Sequence, residues 1–277
     1  MTAVPDRPTG HRPRTSPEDD CALCGELLPL PSLGAWLRMV REHRDLTRPQ
    51  VQRDVHISAA NLKLIEAGST IPRQPTLDTL IAAYGMTPAQ RRHTTELYQP
   101  SLPLPPVNEL RQRVIDGHGP ELSAFESRSL ACGFCDPLWN VLAANGNFHT
   151  LYPGLDHTEH NLAVWHLHTA ANPVGTEPSA DPDTVFLVAS LRAALGRFRD
   201  AARAAQLLRR LCQHQHFLAL WQTSVEVAYD RGPHRVHSPD CRGPITAQVT
   251  ELLDEPGVRS VLAYRPRRSP PQTLSGL

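Results

Sequence analysis

Four prolines fall within residues 99–107, and neither a helix nor the middle of a sheet runs through such a stretch. It favours extended polyproline conformation. The chain is therefore expected to divide there, with residues 99–107 as a semi-rigid linker between two domains. Upstream, residues 31–98 read as a compact run of short helices, preceded by a polar, Pro-rich, disordered arm over 1–30. Downstream, residues 108–266 read as a second domain, followed by a disordered tail over 267–277. The arm lacks the apolar stretch of a signal peptide, and no apolar run approaches the ~18 residues of a membrane span. A cytoplasmic protein without a membrane partner is expected.

Charge is distributed to match this division. Residues 31–98 carry nine basic and six acidic residues, whereas 108–264 carry thirteen basic and seventeen acidic ones, although the whole chain is balanced. A basic unit joined to an acidic one suits a nucleic-acid reader with a separate module that does not touch DNA. Of the 28 basic residues only Lys63 is a lysine, a composition that fits a GC-rich bacterial genome.

The first unit is the more informative. Leu33, Trp36, Leu37 and Val40 make one apolar helix face at i, i+3, i+4, i+7. Thr47 and Gln50 form a capping box with Pro49 in the first turn, so a second helix starts at Arg48. Val51 and Val55 are its inward face, and His56 stands in the turn. Ser58 caps a third helix over residues 59–67 that buries Leu62 and Ile65 and stops at Gly68. Pro72 and Pro75 mark a loop. Leu77, Leu80, Ile81 and Tyr84 line a fourth helix closed by Gly85. Thr87 and Gln90 form a second capping box and open a fifth.

Residues 46–68 resemble the lambda-repressor and Cro type of helix-turn-helix, the XRE family. Thr47, Val51, Ile57, Ser58, Leu62, Ile65, Glu66 and Gly68 match its pattern in type and spacing. Three positions depart from it. Arg48 replaces the usual Gln, Gln52 a small residue, and His56 the turn glycine, although His tolerates positive φ better than most side chains. The resemblance implies that the third helix enters the major groove of double-stranded operator DNA. Its outward residues would be Ser58, Ala59, Ala60, Asn61 and Lys63. Asn pairs with adenine, Lys donates to guanine or phosphate, and Ala contacts a thymine methyl. Thr47 and Arg48 at the start of the second helix, and Arg73 in the following loop, are expected at backbone phosphates. One such domain covers a half-site, so a homodimer is expected.

In the second domain, residues 139–145 read as a strand running into a helix with Phe148 and Leu151. Leu187, Val188, Leu191 and Leu195 line one helix, and Ala204, Leu207, Leu208, Leu211 and Cys212 another; Phe217, Leu218 and Trp221 add to the apolar content. Val225, Val227 and Tyr229 alternate with polar or small residues at strand period, as do Ile245, Ala247 and Val249. Residues 258–264 read as a last strand. The order suggests an antiparallel sheet with helices on one face, an α+β domain. Residues 139–145, Asn161, residues 190–196 and 217–221 followed by Val225 resemble the MmyB-like ligand-binding domain of actinobacterial regulators. Where that family has an acidic-Trp motif, near 176–180, this chain reads Gly-Thr-Glu-Pro-Ser. The resemblance implies a PAS-like fold, a pocket for a small apolar ligand, and no catalysis. Phe148, Trp165, Leu191, Phe217 and Trp221 are the candidate pocket residues, with plain core packing as the alternative for each.

Two Cys-x-x-Cys pairs offer another reading. Cys21 and Cys24 form half of a zinc site or a redox pair. Cys132 and Cys135 fall in a predicted strand, where i and i+3 point to opposite faces and cannot share one ion. Histidines cluster at 157–168, at His214 and His216, and at His234 and His237; solvated or capping roles are the default, and a metal- or pH-sensing cluster in the second domain is the alternative. Nucleophile-elbow, Walker and dinucleotide signatures are missing from the sequence. The sequence thus predicts an all-α five-helix helix-turn-helix domain followed by an α+β, PAS-like sensor, and neither an enzyme nor a cofactor. The alternatives are a redox- or metal-responsive regulator acting through the cysteine pairs, and a helix-turn-helix module that binds a protein.

Overall fold

The computed structural model describes residues 29–170, 181–236, 245–255 and 257–265. Cys21, Cys24, nearly all of the predicted arm and the tail lie outside the described residues.

Five helices form the first unit: α1 (Leu33–His43), α2 (Arg48–Val55), α3 (Ala59–Glu66), α4 (Gln74–Ala83) and α5 (Pro88–Tyr98). Their starts follow the predicted caps. Both capping boxes form, and the Ser58 hydroxyl accepts the Asn61 N–H at 3.1 Å. Pro75 departs from the loop expected for it. It lies in the first turn of α4, where its missing N–H would be unpaired in any case. Trp36, Leu37, Val51, Leu62, Ile65, Leu77 and Leu80 are buried in one core. Gly34 lets α1 and α3 approach closely. A Cβ there would stand 2.5 Å from the Ile65 carbonyl oxygen and 2.8 Å from that of Glu66. Both obstacles are backbone and cannot swing aside. Gly34→Ala gains about 1 kcal/mol of helix propensity, but forcing the helices apart costs more. The net expectation is a loss of about 2 kcal/mol, seen as a melting temperature lower by about 4–8 °C in thermal circular dichroism.

The proline stretch leads into a 21-residue helix, α6 (Val107–Ser127). The second unit then runs β1 (Ala131–Cys135), β2 (Val141–Ala144), α7 (Gly146–Leu151), a 3-10 turn (Leu155–Thr158), α8 (Leu162–Ala170), α9 (Pro182–Arg197), α10 (Ala202–Leu211), α11 (Gln215–Thr223), β3 (Arg231–Val236), β4 (Ile245–Glu251) and β5 (Arg259–Tyr264). The strands form one antiparallel sheet in the order β2-β1-β5-β4-β3. This is the α+β class read from the sequence. No helix among the described residues is long and apolar enough to cross a membrane.

Two expectations need correction. Helices cover both faces of the sheet rather than one. Ala131 and Cys135 of β1 join the main core beneath α7–α11. Cys132, Phe134 and Leu142 point the other way and are buried under Leu110 and Val114 of α6. An apolar second face needs its own cover, and α6 supplies it. The second correction concerns Val225, Val227 and Tyr229, which lie in an extended segment outside the sheet. The backbone of this segment is served from elsewhere: Gln90 Nε2 donates to Val225 O, Arg192 Nη1 to Glu226 O, and Ala228 N–H to Ala189 O.

The first unit rests on this segment and on α9. Ala193, Val225 and Val227 are buried in the helix-turn-helix core cluster itself. Residues 99–106 are tied to the same place. Leu102 N–H donates to Arg197 O at 3.0 Å, Arg199 donates to Gln99 O, and Arg203 donates to Pro105 O at 2.6 Å. Helix α9 is therefore buried nearly all round, between the main core of the second unit and α5.

Candidate nucleic-acid interface and sensor core

The turn between α2 and α3 is closed by His56 in the left-handed region, φ 58° and ψ 27°. Its N–H donates to Gln52 O at 3.1 Å. Gln52, the other departure in this turn, stays exposed. Its Oε1 accepts the Ala59 N–H at 2.8 Å. A long side chain at that position is accommodated because it points outward and caps the helix it would otherwise crowd.

With that end of α3 satisfied internally, its surface is left to the side chains. Ser58, Ala60, Asn61 and Lys63 are exposed, and Ala59 is half-buried. The side chains of Asn61 and Lys63 make no hydrogen bond or ion pair with the described residues. Leu64, one position further, is 49% exposed. Thr47 and Arg73 are exposed as well, Thr47 with its hydroxyl engaged by Gln50. Arg48 is different. Its guanidinium lies 2.7–2.8 Å from Glu66 Oε2. The same Glu66 carboxylate accepts Arg41 Nε at 2.6 Å and Arg41 Nη2 at 3.1 Å. Arg48 can thus turn only its remaining N–H groups toward a phosphate. This triad escaped the sequence reading because its members are separated by 18 and 25 positions.

In the second unit the five candidate pocket residues come together. Phe148, Trp165, Leu191, Phe217 and Trp221 are all buried in one cluster. Tyr152, which the sequence reading missed, joins two of them. Its ring lies 4.5 Å from that of Phe148 and 5.0 Å from that of Trp165, in a T-shaped arrangement. Phe217 stacks on Trp221 at 5.3 Å, and the buried Arg192 lies over Trp221 while donating to the Trp221 and Glu226 carbonyls. The residues around Trp139 have a structural task. Asp136 accepts the Leu138 and Asn140 N–H groups. Asn161 Nδ2 donates to Leu138 O, and Asn145 caps α7 while accepting the Cys132 N–H. They hold Trp139 at φ 67°, a conformation that bulky residues rarely adopt.

Cys132 and Cys135 are buried on opposite faces of β1. Burial pushes the Cys132 thiol up to about 12, with Glu121 adding to it, and raises that of Cys135 further. Burial thus holds both as neutral thiols at pH 7, a poor state for thiol–disulfide exchange. Among the described residues no group of three or more His, Cys, Asp or Glu is arranged to hold a metal. Of the clustered histidines, His166 meets Thr184 at 2.8 Å and Asp181 at 3.4 Å, and His168 meets His214 edge-on at 5.0 Å.

The seam between the units carries polar contacts that no spacing rule suggests. Arg92 of α5 meets Glu251 of β4 at 2.7 Å, and Arg197 of α9 meets the same carboxylate at 3.0 Å. The Tyr229 hydroxyl donates to Glu96 at 2.6 Å, and the Arg92 guanidinium lies 3.5 Å above the Tyr229 ring. His93 is fully buried between Trp36 and Gly196, and neither ring nitrogen has a partner among the described residues.

Comparison with known families gives two matches. A helix-turn-helix domain model matches residues 32–94, and the model of the MmyB-like transcription regulator ligand binding domain matches residues 129–273. No curated protein matches the chain.

Proposed function

The chain belongs to the MmyB-like transcription regulators, and from that premise we propose that it reads operator DNA as a homodimer through α3 while a small apolar molecule in the second domain sets its affinity. The DNA-binding and ligand-binding halves come from the two family matches. The observation that carries the finer reading is the face of α3. Ser58, Ala60, Asn61 and Lys63 are exposed there, with Asn61 and Lys63 uncommitted within the described residues. Those are the side chains that read base edges in the major groove. Thr47 and Arg73, with the free part of Arg48, contact phosphates. Two copies related by a two-fold axis cover two half-sites one helical turn apart. The protein acts where its operator is, in the cytoplasm, and works as a regulator rather than an enzyme.

The aromatic cluster of Phe148, Tyr152, Trp165, Phe217 and Trp221, with Leu191, supplies the apolar surface on which the ligand is held. Helix α9 contributes Leu191 to that cluster and Ala193 and Gly196 to the seam with α5. A ligand that favours one position of α9 thus biases how the first unit sits, which is the differential contact that allostery requires.

Fluorescence anisotropy tests the DNA reading, with fragments from the gene's own neighbourhood at two salt concentrations. The wild-type chain is expected to prefer one fragment and to weaken steeply with salt. Each good side-chain–base pair contributes about 1–3 kcal/mol. The Asn61→Ala/Lys63→Ala variant is therefore expected to lose the preference by about 30-fold or more while melting like wild type. An unchanged preference in the folded variant removes α3 as the reader. Salt-insensitive binding, or none in the presence of cell extract, favours the protein-binding module instead.

A further inference from the structure

Leu62, Ile65 and Glu66 are the buried residues of α3. At about 100° per residue, the line opposite them runs through Ala60, Leu64 and Ala67, all of which are exposed. Lys63 falls to one side of that line and Asn61 to the other. The part of α3 that stands farthest from the core is thus aliphatic, and its polar side chains are on the flanks. Leu64 is 49% exposed, and it alone on the line reaches beyond Cβ. Its turn of helix is firmly closed. The Ser69 N–H donates to Leu64 O at 2.9 Å and the Gly68 N–H to Ile65 O at 3.0 Å, with Gly68 at φ 75°, the pair of bonds that ends a helix on a left-handed glycine.

A helix that enters the major groove brings this outermost line to the base edges. Hydrogen-bonding groups cover most of those edges, and the 5-methyl of thymine is the apolar group among them. Against any other base edge Leu64 would strip water from donors and acceptors and return no hydrogen bond. Ala60 and Ala67 add nothing beyond Cβ, so α3 can approach closely enough for Leu64 to touch the groove floor. The flanks fit the same occupant. Lys63 and Arg73 are exposed, and Arg48 keeps part of its guanidinium free. Such charges suit phosphates, whereas charged residues are depleted from the core of a protein interface.

We propose that Leu64 is a specificity-determining residue, and that it reads thymine at one position of each operator half-site by van der Waals contact with the 5-methyl group. This rests on the reading of α3 as the helix that enters DNA, and it adds a residue and a base to that reading. Asn61 and Lys63 choose by hydrogen bonds at the sides of the face, and Leu64 chooses by a methyl at its centre. Cytosine methylated at C5 carries the same group at the same ring position, so it passes for thymine at this contact.

Anisotropy with the full chain and its preferred fragment tests this, each thymine being replaced in turn by deoxyuridine, which pairs alike and lacks only the methyl. Losing one buried methyl contact is expected to weaken wild-type binding about fourfold, at one thymine per half-site. Leu64 is exposed and alanine favours a helix, so Leu64→Ala should melt like wild type. It should bind the thymine fragment about fourfold or more weakly, with no further loss when deoxyuridine stands at that position. In wild type, 5-methylcytosine placed there should bind more tightly than cytosine, and Leu64→Ala should not tell the two apart. Deoxyuridine without effect at every thymine, or a deoxyuridine effect that persists in full in Leu64→Ala, overturns the proposal. Wild-type DNA affinity in Leu64→Ala also overturns it and favours a protein partner for the apolar line. The two readings fail distinguishably. A fragment preference that depends on Asn61 and Lys63 but on no methyl removes this proposal alone, whereas no preferred fragment for wild type, even with cell extract, removes both.

Discussion

Glu66→Ala is expected to cost the protein about 3–5 kcal/mol, the usual penalty for removing one partner of a buried ion pair. Glu66 ends α3 with its side chain 1% exposed, between Arg41 and Arg48. The Arg41 side chain is only 6% exposed, and its hydrogen bond to Glu66 raises its already high pKa. Without Glu66 it keeps only the Leu46 carbonyl and the half-exposed Glu42. Its charge then stays buried with little compensation, and α1 loses its polar tie to α3. The melting temperature is expected to fall by about 6–20 °C. A double-mutant cycle with Arg41→Met separates the pair from its parts, since removing both charges leaves nothing stranded. The coupling energy is expected to be large and favourable. For contrast, the exposed Arg38–Glu42 pair should contribute under about 1 kcal/mol. If Glu66→Ala melts within a degree or two of wild type, the buried triad is not what fixes α3 against α1.

The difference between these two ion pairs also shows where sequence reading succeeds. Arg38 and Glu42 are four apart on one helix, so their meeting is dictated by local geometry. The same locality made α1–α5 legible. Thr47 with Gln50, Ser58, and Thr87 with Gln90 are caps whose partners lie within three residues. His56 announces a left-handed turn for a similarly local reason. Locality failed in the second unit. Helix α6 runs through Gly117, Gly119 and Pro120, residues that signal a break, and it persists because Phe134 and Leu142 need cover. Strand β3 contains Gly232 and Pro233 and sits at the sheet edge, where a proline is tolerated but the usual strand signal vanishes. Val225–Tyr229 shows the reverse error. Alternation reports burial on one side and says nothing about whether a neighbouring strand pairs. The exposed face of α3 could be read from spacing and resemblance. The hold of Glu66 on Arg48, the Tyr152 ring and the seam through Glu251 could not, because each joins positions that only the folded chain brings together.

The seam should respond to acid through His93, the second large effect. Burial holds this imidazole down at about 3, with Arg192 and Arg199 adding to the shift, against an ordinary value of 6.5. A histidine that is neutral when folded and protonates when released makes the unfolded or opened form take up the proton. Stability from this group is therefore complete above about pH 6.5 and declines as pH falls toward 3. Each pH unit in that window removes about 1.4 kcal/mol, so about 2 kcal/mol is gone near pH 5. His93→Leu tests this by denaturant titration at several pH values. Neither ring nitrogen has a described partner, so the apolar replacement sacrifices no hydrogen bond seen here, and at neutral pH the variant should match or exceed wild type. Its stability should then fall less steeply on acidification, by about 2 kcal/mol between pH 7 and 5. Parallel decline of the two proteins would mean that His93 takes up its proton in the folded protein as readily as in the opened form, and that burial does not hold it neutral. Because His93 lies between Trp36 of α1 and Gly196 of α9, protonation favours parting the DNA-reading unit from the sensor before either core is lost. Hydrogen exchange in α5 should accelerate at a higher pH than exchange in β1 or β5.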